Sequence, residues 1–135
     1  MSSTAGPESE ATNPGLSIVL PTFNEGGSIQ RVIDELLQLE MGDPIEIVVV
    51  DDDSGDGTAD LVRHLARQDS RVRIIQRVGR SGLASAIKEG LMAALHPVAV
   101  VMDSDGQHQP SSVRDAVQAL NSQKLDVVAG SRFLD

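Results

Sequence analysis

The stretch IEIVVVDDDSGDGT, residues 45–58, decides the fold class. A run of β-branched residues that ends in three carboxylates is typical of a parallel strand buried on both faces, followed by a polar loop. Two further apolar runs, LSIVL at 16–20 and VAVVM at 98–102, also end in polar loops. We therefore expect a parallel sheet whose functional residues lie in the loops that follow its strands.

The rest of the chain alternates in the same way. Five strands are predicted: Leu16 to Leu20, Ile45 to Val50, Val72 to Gln76, Val98 to Met102 and Leu125 to Ala129. Four helices are predicted between them: Gly27 to Leu39, Thr58 to Arg67, Leu83 to Leu95 and Ser111 to Asn121. This order implies right-handed crossovers and an α/β, doubly wound, mainly parallel sheet. Ligands of such sheets bind beyond the carboxyl ends of the strands, at the switch point.

Composition excludes several classes of protein. The chain has 135 residues, a formal net charge of −9 and no Cys. The charge argues against nucleic acid as a partner, and the missing Cys excludes thiolate chemistry and fits a reducing cytoplasm. No apolar run reaches the 18 residues of a membrane span. Residues 1–15 carry no apolar periodicity and are predicted to be a disordered tail, and residues 16–135 form one domain.

The loop after the fourth strand, MDSDGQHQP at 102–110, carries the most specific chemistry. In an Asp-x-Asp turn, Asp103 and Asp105 can approach one hard cation from the same side. Their oxygen atoms suit Mg²⁺ or Mn²⁺, which keep open positions for water and substrate phosphates. The alternative is a solvated loop in which Asp forms the turn. His108 is interpreted as a loop residue or a substrate contact.

The loops after the first two strands allow two interpretations. Asn24 and Glu25 either belong to a turn and helix cap or contact a ligand. Three adjacent acids, 51–53, repel one another unless a metal or hydrogen-bond donors compensate them. Residues 56–58 are predicted to turn the chain and cap the next helix. A calcium loop starting at Asp52 is excluded, because its twelfth position falls on Arg63 where a bidentate Glu is needed.

A basic segment lies between these loops. Residues 61–90 contain seven basic and two acidic side chains, a local charge of +5. Most of its arginines are expected on helix and strand surfaces. Arg77 and Arg80 flank Gly79 just before a predicted helix, a placement suited to holding phosphate. The chain has neither a Walker A loop nor a G-x-G-x-x-G fingerprint. The sequence therefore does not support a P-loop protein or a dinucleotide-binding protein.

Together these segments resemble glycosyltransferase family 2, which has the Rossmann-like GT-A fold, and within it the dolichyl- or polyprenyl-phosphate mannose synthase group. The matching motifs are IVLPTFNE (18–25), VVVDDDSGDGT (48–58), RVGRSGLASA (77–86), VVMDSDGQHQP (100–110) and AGSRF (129–133). They follow the family's order and spacing from Leu16 to the last residue. The resemblance implies the nucleotide-sugar-binding half of a GT-A glycosyltransferase over 16–135.

The resemblance also implies roles for individual residues. Asp103, Asp105 and Gln107 match the ligands of a divalent cation, Mg²⁺ or Mn²⁺, on the donor diphosphate. Asp52 matches the acid that hydrogen-bonds the base, and Arg132 matches an arginine at the reaction centre. Asp103, Asp105 and Arg132 are thus the predicted catalytic residues. The predicted nucleotide contacts are Pro21, Thr22, Glu25, Asp51, Asp52, Arg77, Arg80 and Ser104.

The implied reaction is inverting transfer of a sugar from GDP-mannose or a UDP-sugar to an acceptor, with polyprenyl phosphate at the cytoplasmic membrane face as the expected acceptor. Two residues depart from the family pattern, Ala84 in place of Gly and Gly106 in place of Leu. The chain stops at Asp135, short of the family's acceptor-binding half, so we expect a truncated polypeptide.

Two other classes of protein are alternatives to a glycosyltransferase. One is a nucleotide-binding pseudoenzyme that does not turn over. The other is a phospho-acceptor receiver domain. It is disfavoured because Asn24 and Glu25 replace its paired acids after strand one, and because no lysine follows the last strand.

Overall fold

The computed structural model describes residues 15–40, 44–107 and 109–123. Within them, strands and helices alternate in the predicted order. The strands are β1 (Leu16–Thr22), β2 (Ile45–Asp51), β3 (Val72–Gln76) and β4 (Val98–Val101); the helices are α1 (Ile29–Leu37), α2 (Thr58–Gln68), α3 (Leu83–Ala93) and α4 (Ser111–Ser122). No end differs from its predicted position by more than about two residues, which is the usual uncertainty of element boundaries. The predicted strand at 125–129 and the tail at 1–14 lie outside the described residues.

The four strands form one parallel sheet in the order β3-β2-β1-β4. The chain moves from β1 outward to β3 and then returns to the other side of β1 as β4. The switch point therefore lies between the carboxyl ends of β1 and β4. This confirms the predicted α/β parallel fold and places the loops after β1 and β4 side by side.

Both faces of the sheet are covered by helices. On one face α1, α2 and α4 pack their apolar stripes over strand residues such as Ile18, Leu20 and Ile47. On the other face α3 packs over Val19, Val48 and the neighbouring strand side chains. Among the residues that the structure describes, none of the helices has the length and apolar character needed to cross a membrane.

Strand β1 continues through Pro21, two residues beyond its predicted end. Proline normally ends a central strand because it cannot donate a ladder hydrogen bond. Here the carbonyl of Val19 accepts from the N–H of Met102, and the carbonyl of Thr22 accepts from Asp52, so alternate residues face β4 and β2. Pro21 faces the β4 side just past the end of that strand, where no ladder donor is required.

A buried carboxylate fixes the connection between α3 and β4. Glu46 accepts hydrogen bonds from the Ser17 hydroxyl at 2.6 Å, the Leu95 N–H at 2.7 Å and Arg73 Nε at 3.0 Å. Burial is the largest single influence on the Glu46 pKa and raises it, but these donors and the Arg73 charge outweigh burial and lower the pKa below 4.5. The ionised carboxylate therefore stabilises the folded chain.

Glu46→Gln is expected to lower the free energy of unfolding by about 2 kcal/mol at pH 7, because it removes a charged acceptor from a buried network. Since the folded-state pKa is the lower one, this contribution is present above the unfolded pKa and is lost as pH falls through the folded pKa. Urea unfolding at pH 7 and at pH 3.5 measures it. The matched control is Glu35→Gln in the exposed Arg31 pair, where we expect less than about 0.5 kcal/mol. A Glu46→Gln effect that does not shrink in acid would contradict the assignment.

Candidate functional site

Two buried hydroxyl groups join the ends of β1 and β4 at the switch point. The Thr22 hydroxyl donates to Ser104 Oγ at 3.0 Å, and the Ser104 hydroxyl donates to the Pro21 carbonyl at 3.2 Å. Ser28, just before α1, donates to the Ser104 carbonyl at 2.8 Å. Thr22 and Ser104 are 5% and 2% exposed, so these side chains point inward. These hydroxyls hold the acidic loop against β1, and the nucleotide contacts predicted for Thr22 and Ser104 stay predictions.

The acidic loop presents oxygen atoms at the end of β4. Asp103 is half-buried, and Asp105 and Gln107 are exposed. The Asp105 carboxylate accepts the Gln107 N–H at 2.9 Å, which closes the turn at Gly106. Two carboxylates and an amide within five residues are hard ligands that fit Mg²⁺ or Mn²⁺. Among the described residues, no group of three His, Cys, Asp or Glu that could hold a metal ion is found.

Arg31 on α1 occupies the space beside Gly106 that a side chain would fill. A Cβ placed on Gly106 would clash with Arg31 Nη2, and Gly106 has a φ of +83°. The guanidinium of Arg31 also pairs with Glu35, one turn along the helix, at 3.3 Å. Gly106, which stands where the family usually has Leu, therefore leaves room for the guanidinium of Arg31 beside the acidic loop.

Gly106→Ala is expected to destabilise the chain by about 1–2 kcal/mol through its positive φ and also to displace Arg31 or the loop. Gly79→Ala is a matched control, because Gly79 has a φ of +80° and open space where the Cβ would stand. Mn²⁺ affinity measured by electron paramagnetic resonance with a nucleoside diphosphate should fall severalfold in Gly106→Ala and stay unchanged in Gly79→Ala. Arg31→Ala combined with Gly106→Ala should restore part of it. Equal Mn²⁺ affinities in both glycine variants would contradict the contact.

The loops after β1 and β2 are joined by their own side chains. The Asn24 N–H donates to Ser54 Oγ at 2.7 Å, and Asn24 Oδ1 accepts the Gly55 N–H at 3.0 Å. Asp56 accepts from the N–H groups of Gly26 and Thr58, both at 3.1 Å. Residues 56–58 make the predicted turn into α2, but its N-cap residue is Gly57 and no side chain caps the helix; Asp56 binds the N–H of the first helical residue instead. The structure favours the turn interpretation of Asn24, since its amide oxygen accepts a hydrogen bond within the protein.

The three adjacent acids after β2 have separate partners, which relieves their repulsion. Asp51 is fully buried, and its two oxygens accept from the N–H and hydroxyl of Ser54 at 2.9 and 2.6 Å. Asp52 accepts from the Gly82 N–H at 2.9 Å, and exposed Asp53 accepts from Gln76 at 3.3 Å. Asp51 therefore closes a turn in this structure, and the nucleotide contact predicted for it stays a prediction. Asp52 remains at the mouth of the strand.

The basic segment is neutralised mostly within the protein. Five of its seven cations pair with carboxylates: Arg63, Arg71, Arg73, Arg77 and Arg80. Arg77 is fully buried, and its guanidinium lies between Asp52 and Glu89; the nucleotide contact predicted for it stays a prediction. Arg80 is about half exposed and makes two hydrogen bonds to Glu89, at 3.0 and 2.7 Å.

Two residues of this site were not predicted from sequence. Glu89 joins both arginines from within α3, and Arg31 contacts the acidic loop from α1. Each residue lies on a helix, and the local sequence pattern indicates only an exposed polar position there. No local signal therefore identifies either residue as part of the site. Glu25, half-buried beside Ser28, stays a predicted nucleotide contact. Arg132 and His108 lie outside the described residues, and the role of each stays a prediction.

A parallel α/β sheet with acidic loops at its switch point is the arrangement of proteins that bind ligands beyond the carboxyl ends of their strands. The chain belongs to glycosyl transferase family 2, whose family model matches residues 17–135. It is 34% identical over 119 residues to a dolichol-phosphate mannosyltransferase of Pyrococcus furiosus, covering 88% of this chain and 33% of that protein. It is 33% identical over 132 residues to the dolichol-phosphate mannosyltransferase of Mycosarcoma maydis, covering 93% and 44%. The chain thus spans less than half the length of these relatives.

Two solved structures are similar to the fold. The mannosyltransferase PcManGT from Pyrobaculum calidifontis, in complex with GDP-Man and Mn²⁺, matches with a TM-score of 0.68 and 27% identity, covering 80% of this chain and 32% of that one. Glucosyl-3-phosphoglycerate synthase from Mycobacterium tuberculosis, in complex with Mn²⁺, UDP and glucosyl-3-phosphoglycerate, matches with a TM-score of 0.64 and 28% identity, covering 84% and 41%. The fold is that of the GT-A glycosyltransferases, as the sequence predicts.

Proposed function

We propose that the chain binds a nucleotide diphosphate sugar together with Mg²⁺ or Mn²⁺ and belongs to an inverting glycosyltransferase. The observation that carries this proposal is the pair Asp103 and Asp105 beside the end of β1, in a chain of glycosyl transferase family 2. GDP-mannose is the first donor to test, because the relatives are mannosyltransferases and PcManGT was solved with GDP-Man and Mn²⁺. A UDP-sugar is the second, because the glucosyl-3-phosphoglycerate synthase was solved with UDP.

Each group in the proposed site has a defined task. Asp103, Asp105 and Gln107 would hold the cation, which neutralises charge on the departing diphosphate. Asp52 would accept a hydrogen bond from the base, while Pro21, Thr22 and Glu25 would border the nucleotide. Arg132 would act on the phosphates at the reaction centre.

The proposed acceptor is a polyprenyl phosphate, because the relatives are named dolichol-phosphate mannosyltransferases. We place the transfer at the cytoplasmic face of a membrane. The acceptor's phosphate oxygen attacks the anomeric carbon from the face opposite the nucleoside diphosphate, which leaves as the bond to that carbon breaks. The configuration is therefore inverted. A phosphomonoester has a second pKa of about 6, so the attacking oxygen is ionised at neutral pH and needs no general base.

The experiment is titration calorimetry of the chain with GDP-mannose and with a UDP-sugar, in Mn²⁺ and in EDTA, followed by a transfer assay to a short-chain polyprenyl phosphate. Binding that needs Mn²⁺ and yields glycosyl lipid supports the full proposal. The alternative is nucleotide binding without transfer. It predicts the same binding with neither transfer nor donor hydrolysis. Absence of nucleotide binding in Mn²⁺ would overturn both.

A further inference from the structure

Arg77 carries a full positive charge inside the protein, between the end of β3 and α3. Its side chain is 0% exposed, although a buried guanidinium is costly unless it is paired and hydrogen-bonded. Nη1 donates to Glu89 at 2.9 Å and Nη2 donates to Ser85 Oγ at 2.8 Å. Nε lies 2.8 Å from Asp52 Oδ1, but its N–H is not directed at that oxygen, so this contact is an ion pair without a hydrogen bond.

Glu89 is the carboxylate that both arginines of this cluster share. One of its oxygens binds Arg77, and both bind Arg80. The hydrogen bonds from Arg80, followed by the charges of the two arginines, lower the Glu89 pKa below its ordinary value. Glu89 is therefore ionised at neutral pH. From α3, Glu89 thus forms ion pairs with both end residues of the segment from Arg77 to Arg80.

Asp52 is held by this segment from one side. The Gly82 N–H donates to Oδ2 at 2.9 Å, and Arg77 Nε faces Oδ1. The Asp52 side chain keeps 13% exposure at the mouth of β2. Each carboxylate oxygen can accept more than one hydrogen bond, so Asp52 retains acceptor capacity while its orientation is fixed. The orientation depends on where the guanidinium of Arg77 lies.

We infer that Glu89, which lies on α3 behind the predicted base contact, is a positioning residue for Asp52. It balances the charge of Arg77, so that Asp52 is oriented by the guanidinium without being its sole counterion. This inference rests on the proposed function, in which Asp52 contacts the nucleotide base.

Removing the Glu89 charge leaves Asp52 as the only carboxylate against Arg77. The guanidinium is then drawn onto Asp52 and occupies the oxygen lone pairs that a base would use. Only the part of nucleotide affinity that depends on the base should suffer. Binding of the diphosphate and metal at the acidic loop should not change.

The test compares wild type, Glu89→Gln, Asp52→Asn and the double variant by calorimetry in Mn²⁺, with GDP, UDP and inorganic pyrophosphate as ligands. Glu89→Gln should lower the affinity for the nucleotide that wild type prefers by about tenfold and leave the affinity for pyrophosphate unchanged. In the Asp52→Asn background it should have no further effect. Glu40→Gln, the same chemical change at an exposed position after α1, is the control and should leave all affinities as in wild type.

The outcomes separate this inference from the proposed function. If wild type binds no nucleotide, the proposed function fails. The positioning role alone is overturned if Asp52→Asn weakens nucleotide binding and Glu89→Gln does not. It is also overturned if Glu89→Gln weakens pyrophosphate binding as much as nucleotide binding. Should Glu89→Gln not fold, Arg77→Gln combined with Glu89→Gln removes the buried charge together with its counterion. That variant should show the same loss for nucleotide alone, because Asp52 has lost its anchor, and unchanged nucleotide affinity would refute the role.

Discussion

Asp105→Asn is expected to weaken Mn²⁺-dependent binding of a nucleoside diphosphate by about 100-fold, because it removes one of two carboxylates that would hold the cation. The fold should be preserved. Asp105 is exposed, and an Asn oxygen can still accept the Gln107 N–H that closes the turn. Calorimetric titration with GDP and with UDP measures the change.

The effect of Asp105→Asn on nucleotide affinity should disappear or reverse when the metal is removed. In EDTA, Asp103 and Asp105 repel the diphosphate, so Asp105→Asn should bind the nucleotide as tightly as wild type or more tightly. Asp34→Asn, the same change at an exposed position of α1, should behave like wild type in both buffers. Equal affinities of wild type and Asp105→Asn in Mn²⁺ would exclude Asp105 as a metal ligand. A loss of the same size in both buffers would indicate a structural defect instead.

Gly90→Ala should lower the free energy of unfolding by about 2 kcal/mol, although alanine is the better helix former by about 1 kcal/mol. Gly90 lies on the face of α3 that touches the sheet. A Cβ at Gly90 would clash with Val19 Cγ1 and stand 3.1 Å from Val50 Cγ2. Both valines are fully buried, so neither can move away. The helix would have to rise from the sheet.

Urea unfolding of a double-mutant cycle isolates this contact. Val19→Ala alone creates a cavity, but Gly90→Ala in that background should cost little because the added methyl group fills it. Gly55→Ala, at a position with open space for a Cβ, is the control and should change stability by less than about 0.5 kcal/mol. Additive costs of Gly90→Ala and Val19→Ala would show that the two residues do not touch.

The architecture could be predicted because its signals are local. β-branched runs such as IVVV at 47–50 mark buried parallel strands, and the apolar spacing between them marks the helices. The extension of β1 through Pro21 could not be predicted from local sequence, since it depends on β4 ending beside Val19, and that register is set by residues about 80 positions away. The sequence also placed the acidic loop in the correct position, because a parallel sheet brings the ends of its strands to one edge.

The individual contacts could be predicted less well. Arg77 stands beside Gly79 in a context that suits phosphate, but its environment is decided by Asp52, 25 residues before it, and by Glu89, 12 residues after it. Ser104 lies between two candidate metal ligands, yet its hydroxyl bonds to Thr22, 82 residues away. A polar side chain beside a loop can face the ligand or the protein, and only the tertiary neighbours decide which.

The two halves of the site are attached to strands that pair over different lengths, which gives them unequal local stability. β1 and β2 pair over seven residues and are fully buried, whereas β4 pairs with β1 over four residues. Regions with few buried contacts open first in hydrogen exchange, and opening does not require global unfolding. The acidic loop is attached to β4, and Asp52 is attached to β2. Partial opening of the native state would therefore release the proposed metal ligands while the opposite wall of the site stays folded.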